Sequence, residues 1–265
     1  MLYNAKNLTL KLGDTEMDYA CFGKGKRAMV VIPGLNLRGV KGAALSLAYM
    51  YRIFAKDYKV YVFDRKADIP YGYTVEDIAE DTALAMETLG ISNADVFGVS
   101  QGGMIAQYLA INHPELVRKL VLGVTLSRPN ETVVNVIDGW VKMSENNEYD
   151  TLVADMLNKM YSEKYLKKYH LLMPIAAKMS KPKDFGRFII LAKACLTCNT
   201  YDRLDMIRCP VLVLGGKEDK IVTGRASEEI AEKLRCDIVM YDGLGHSAYE
   251  EAKDFNDRMR DFLNN

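Results

Sequence analysis

The sequence predicts an α/β protein: a mostly parallel central sheet with helices on both faces, interrupted by an all-helical insertion. Three observations lead there. Apolar, β-branched runs alternate with helix-period segments up to about Leu126 and again from Cys209 onward. Runs such as AMVVIPG, from Ala28, are nearly continuous in apolar residues, as strands buried on both faces require. Between about Ser127 and Arg208 strand-like runs vanish and helical spacing takes over.

The elements follow in order. NLTLKLG and EMDYACF, joined by a short Gly-Asp segment, form an opening hairpin. AMVVIPG is the next strand, Gly42 to Lys56 carries a helical pattern, and KVYVFD is a strand again. Thr74 is placed to N-cap the helix VEDIAEDTALAMETLG, which stops at Gly90. A strand at Val96, Phe97 and Val99 leads into a helix through Met104, Ile105, Tyr108 and Leu109, and KLVLGVTL ends near Leu126. Repeated β-α-β units of this kind imply parallel strands with helices on both faces.

In the insertion, helical spacing is seen at Val133, Val136, Ile137, Trp140 and Val141, at Leu152 through Met160, and from Phe185 to Leu196. Tyr149, Tyr161, Tyr165 and Tyr169 crowd it, and Pro174 and Pro182 punctuate it. CPVLVLGG, ASEEIAEKL, CDIVMYDG and a closing helix to Leu263 then restore the α/β rhythm. The division is therefore a core of residues 1–126 and 209–265 and a helical cap of residues 127–208.

Thirty-five basic residues balance thirty-five acidic ones among 265, so charge offers no case for nucleic acid or a membrane surface. MLYNAKNLTLKLGD lacks a signal-peptide pattern, and no run is long enough to span a bilayer. The five cysteines are odd in number and scattered, which argues against a disulfide framework. A reduced, cytoplasmic protein is expected. Whether it is a monomer or a homodimer is left open.

One serine, in DVFGVSQGGMIAQYLA, sits where a strand turns directly into a helix. Gly98 and Gly102 flank Ser100 where a Cβ would obstruct such a turn. A serine hydroxyl becomes nucleophilic only when a base takes its proton, usually a histidine. Of the three histidines, His113 reads as a helix-terminal residue and His170 as a surface residue in KKYHLL. His246, in YDGLGHSAYEE, lies on a glycine-bracketed loop after the last strand, at the carboxyl edge where open α/β sheets bind ligands. Asp219, in LVLGGKEDKIV, follows the preceding strand and can hold the imidazole; Glu218 is its rival, expected to point elsewhere. The backbone amides of Gln101, at the helix start, and Leu35, after Pro33-Gly34, are the expected oxyanion donors. Gln101's side chain reads as a surface helix residue.

The motif Gly98-Val99-Ser100-Gln101-Gly102, with Ser100, Asp219 and His246 in that order, resembles the α/β-hydrolase fold family over nearly the whole chain. The resemblance implies a serine hydrolase, with the insertion in the place of that family's cap. Two features depart from the pattern. Pro33-Gly34 stands where many members have His-Gly, and Asp64-Arg65 leads into KADIPYGYT instead of a glycine-rich turn.

The expected function is hydrolysis of a carboxylic ester or thioester of a small to medium, partly apolar molecule, with no metal and no cofactor. Alternatives are a triad-using lyase of the menaquinone-pathway type, which Met104 disfavours where a basic residue is usual, and a slow hydrolase acting as a ligand receptor. A haloalkane dehalogenase would need an aspartate where Ser100 stands. Cys195-x-x-Cys198 lies within a helical pattern, so core packing is favoured over a redox pair. The lysine-rich SEKYLKKYH and KMSKPKD read as solvated faces.

Overall fold

In the computed structural model, which describes residues 2–173, 178 and 181–265, one eight-stranded sheet organises the chain. The strands are β1 (Lys6–Leu12), β2 (Thr15–Gly23), β3 (Arg27–Ile32), β4 (Tyr58–Lys66), β5 (Ala94–Val99), β6 (Val117–Gly123), β7 (Val211–Gly216) and β8 (Asp237–Tyr241). Their spatial order is β1-β2-β4-β3-β5-β6-β7-β8. The opening hairpin pairs antiparallel, and β2 runs antiparallel to β4; every other pair is parallel.

The helices are α1 (Ala44–Met50), α2 (Val75–Thr88), α3 (Gln101–Asn112), α4 (Glu131–Glu145), α5 (Tyr149–Met160), α6 (Glu163–Tyr169), α7 (Gly186–Cys195), α8 (Gly224–Leu234), α9 (Ala248–Glu251) and α10 (Phe255–Asn264). None among the described residues is long and apolar enough to cross a membrane.

The period-2 alternation of strand side chains divides the core into two layers. Val30, Ile32, Val96 and Leu122 pack on the face covered by α2, α3 and α8. Met29, Val31, Phe97 and Val121 pack on the face covered by α1 and α10. Thr74 caps α2 as expected, in a reciprocal capping box with Asp77.

Boundaries differ in three places. The helix expected over Gly42 to Lys56 is only α1 followed by a 3₁₀ turn at Arg52–Phe54. β6 stops at Gly123, short of Leu126, because Val124 turns to φ 44° and leaves the ladder. The Phe185-to-Leu196 helix is Gly186–Cys195. Pro174 lies outside the described residues.

Register sets where function can sit. Ile32 pairs with Gly98, Val99 with Gly123, Gly123 with Leu214, and Gly216 with Tyr241. The loops after β3, β5, β7 and β8 therefore leave one common edge of the sheet.

The opposite edge is held by charge. Asp95, 1% exposed, accepts hydrogen bonds on Oδ2 from Arg27 (2.9 Å), Arg118 (2.6 Å) and the Tyr58 hydroxyl (2.9 Å). Both arginines also donate to the carbonyl of Leu263, which fastens α10 under the sheet. Removing the carboxylate would strand two cations that remain a third exposed. Asp95→Ala is thus expected to lower the unfolding free energy by about 3 kcal/mol. Urea denaturation checks this, and a loss below about 0.5 kcal/mol would show the cluster to be dispensable.

Candidate active site

The turn from β5 into α3 is tight enough to strain its central residue. Ser100 has φ 53° and ψ −120°, a backbone region that side-chain-bearing residues rarely occupy. A Cβ on Gly102 would lie 1.8 Å from the Ile32 carbonyl oxygen, and one on Gly98 would lie 2.3 Å from the Gly102 oxygen. Only glycine admits α3 this close to β3 and β5. The Ser100 amide donates to Gly123 O, and its carbonyl accepts from the Thr125 hydroxyl at 2.7 Å. Residues on the neighbouring strand end thus clamp the strained peptide.

His246 and Asp219 meet Ser100 at this edge. His246 Nε2 lies 2.9 Å from Ser100 Oγ, and Nδ1 lies 2.8 Å from Asp219 Oδ2. A carboxylate can only accept, so Nδ1 carries the proton and the Ser100 hydroxyl donates to Nε2. Asp219 Oδ1 accepts the amides of Ile221 (2.8 Å) and Val222 (3.0 Å), which fixes the carboxylate's plane. Asp219 and His246 are buried, whereas Glu218 is exposed and donates its amide to Leu244 O. His113 ends α3 against Glu80, and His170 is exposed, so neither approaches Ser100.

The histidine loop is tied to the insertion. Ser247 N–H donates to Met160 O at 2.9 Å, and Glu251 accepts from the amide and hydroxyl of Ser162. The Tyr161 hydroxyl donates to Glu250 at 2.7 Å.

Beside Ser100 lies a small cavity, with room for about 40 Å³ of water centres, or a few waters. Its apolar wall comes largely from the insertion: Val133, Ile137 and Trp140 on α4, and Met156 and Met160 on α5. Trp140 Nε1 donates to Asp155 at 2.8 Å, which fixes the ring's orientation between the two helices. Gly34 and Leu35 line the same cavity from the β3 loop. The amides of Leu35 and Gln101 find no acceptor among the described residues; for Gln101, the first residue of α3, helix geometry dictates that freedom.

Gln101 corrects one expectation. Its side chain is not at the surface but fully buried, because α3 is covered along its length by the insertion. Its Oε1 accepts from Arg65 at 2.9 Å, while Nε2 donates to Leu191 O at 2.6 Å and to Cys195 Sγ at 3.2 Å. Sequence reasoning missed Arg65 and Thr125 altogether. Arg65's signal was present, a buried-strand run over residues 60–63 ending in the charged residues Asp64-Arg65-Lys66.

The two insertion cysteines are packing groups. Both are buried and free, and burial pushes the Cys195 thiol up to about 11 and the Cys198 thiol up to about 12. At pH 8 these values leave about one Cys195 in 10³ as thiolate, and about tenfold fewer for Cys198. Iodoacetamide at pH 8 should therefore spare both in the native protein and modify both after denaturation. Rapid native alkylation, or a Cys195–Cys198 disulfide in peptide maps, would contradict this.

A model of the family described as "alpha/beta hydrolase fold" matches residues 29–253. A curated relative from Caulobacter segnis, named "Putative carbamate hydrolase RutD", is 26% identical over 237 residues, covering 85% of this chain and 88% of the relative. Among solved structures, MGS-M2, an alpha/beta hydrolase enzyme from a Medee basin deep-sea metagenome library, superposes with a TM-score of 0.89 at 19% identity, covering 97% and 98% of the two chains. The enol-lactonase of Burkholderia xenovorans superposes at 0.85 with 20% identity, covering 97% and 100%. At such identities the structural likenesses speak for the fold. The family match runs from β3 past the His246 loop, and the chain belongs to the α/β-hydrolase fold family.

Proposed function

We propose that this hydrolase cleaves a small to medium, partly apolar carboxylic ester, or the corresponding thioester, through an acyl-enzyme on Ser100. The observation that carries the reading is the relay from Ser100 Oγ through His246 to Asp219, at 2.9 and 2.8 Å, opening on an apolar cavity. Ser100 Oγ attacks the carbonyl carbon as its proton passes to His246 Nε2. The carbonyl oxygen becomes an oxyanion and takes the free amides of Leu35 and Gln101 as donors. His246 then returns its proton to the departing alcohol or thiol, and water repeats the sequence to release the acid. Asp219 holds the imidazole in the productive tautomer and stabilises the transient cation.

A second reading is favoured by the relatives named for carbamate hydrolysis. A carbamate carbonyl is open to the same attack by the Ser100 hydroxyl. The two readings differ in the acyl group and not in the residues used.

Two measurements test the proposal. A fluorophosphonate probe should add once, on Ser100, and Ser100→Ala should abolish it. Asp219→Asn should lower kcat by about 10⁴ through the wrong imidazole tautomer, while Glu218→Gln keeps most of its rate. The opposite pattern would move the acid to Glu218.

The cavity also sets an expectation for substrate size. Each methylene that fits adds roughly 0.8 kcal/mol of binding, about fourfold. Across p-nitrophenyl esters from acetyl upward, efficiency should rise over the first members and fall once the cavity is full. Replacing Met156 or Ile137 by alanine should move the optimum to longer chains. A flat response from acetyl to long acyl chains would remove the insertion as selector, and faster turnover of an aryl carbamate would favour the second reading.

A further inference from the structure

We propose that Arg65 is the positioning residue of the oxyanion site, holding its two halves in register; the inference rests on the ester-hydrolase reading above. The two donors assigned there come from unconnected pieces of chain, Leu35 from the loop after β3 and Gln101 from the start of α3. Something must fix their spacing, since donors act only when set where charge develops.

One nitrogen of Arg65 reaches both pieces. Nη2 donates to Pro33 O at 2.7 Å, two residues before Leu35, and to Gln101 Oε1 at 2.9 Å, on the residue that supplies the other amide. Arg65 is the penultimate residue of β4, the strand beside β3, and its side chain reaches the loop after β3 at Pro33. Its neighbour Asp64 braces the same loop farther on, accepting the Val40 amide at 3.0 Å. Asn36 completes the bracing, donating to Gly34 O at 3.2 Å.

Arg65 is a costly way to fill this space. It is only 3% exposed, and Nη1 has no partner among the described residues. Burying a guanidinium with spare donors is unfavourable, and an apolar side chain of similar size would pack without that cost. The two N–H bonds of a guanidinium nitrogen, by contrast, diverge at a fixed angle, so Nη2 can hold both acceptors at a set separation while the side chain keeps its positive charge beside them. Gln101 extends the link outward, through Leu191 O and Cys195 Sγ, to α7. Arg187 on α7 returns it, donating to the carbonyls of Arg65 (2.8 Å) and Lys66 (2.6 Å). The oxyanion site, β4 and the insertion form one hydrogen-bonded frame.

The test compares wild type with Arg65→Met and Arg65→Lys on a short p-nitrophenyl ester. All rates are normalised to Ser100 sites counted by end-point fluorophosphonate labelling, so that unfolded molecules do not enter. A trifluoromethyl ketone, whose adduct with Ser100 carries the oxyanion, reports on the site directly. Arg65→Met should lower kcat per labelled site by about 10²-fold with KM within about threefold, and raise the ketone's inhibition constant by the same factor as kcat/KM falls. Arg65→Lys should recover part of both. If Arg65→Met instead loses labelled sites and thermal stability but keeps kcat and ketone affinity per remaining site, Arg65 merely supports the fold and the inference fails. A wild-type protein that neither hydrolyses the ester nor takes the label would overturn the functional reading and this inference together.

Discussion

The site depends on one close approach, α3 against the carbonyl end of β3. Gly102 stands where any side chain would strike Ile32 O. That contact forces the abrupt turn at Ser100, and the turn places the hydroxyl proud of the sheet at φ 53°. The strain, of order 1–3 kcal/mol, is held by groups that have no other outlet. Ser100 N donates to Gly123 O, and its carbonyl takes the Thr125 hydroxyl, so β6 clamps the peptide that β3 and α3 compress. The same approach brings the β3 loop beside the first amide of α3. The Ser100 hydroxyl and two amides without acceptors among the described residues thereby converge with no long-range instruction beyond parallel strand register.

Charge is distributed to suit that geometry. The acidic group, Asp219, is buried but saturated by two amides and the imidazole, so its ionised form is solvated by the chain itself. The basic group, Arg65, is bonded instead to Pro33 O and the Gln101 side chain. The cavity beside Ser100 and His246 is walled mainly by apolar side chains. On the proposed reading, a negative charge developing there would meet fixed dipoles in place of mobile water, which is where preorganised donors act most strongly.

Much of this was legible in the sequence because its causes are local. Glycines on both sides of Ser100 announce the turn, and an acid and a histidine after successive strands follow from α/β alternation alone. Strand ends were less legible: Val124 reads as strand, and its amide still donates to the β7 carbonyl of Leu214, yet its φ of 44° ends β6 there. Gln101 shows the deeper limit. Its place at the start of α3 predicted a free backbone amide and a solvent-facing side chain. The first followed from helix geometry; the second failed because the partners of that side chain, Leu191 and Cys195, lie ninety and more residues away. Arg65 was hidden for the same reason. A charged residue within the Asp64-Arg65-Lys66 run at a strand's end names no partner until the fold supplies Pro33 and Gln101.

Those long-range partners change how the insertion is to be understood. A lid hinged freely above a site would touch it only through substrate. Here three supports of the site are bonded to the insertion: the histidine loop through Ser247 and Met160, the same loop through Glu251 and Ser162, and the Gln101 brace through α7. Trp140 and Asp155 join α4 to α5, so the cavity wall and the supports of His246 belong to one packed unit. The cavity wall is therefore continuous with the residues that hold the His246 loop and the Gln101 side chain. On the ester-hydrolase reading proposed above, selectivity and turnover would be coupled through the frame, because a group that displaces α5 also displaces the peptide that holds the His246 loop.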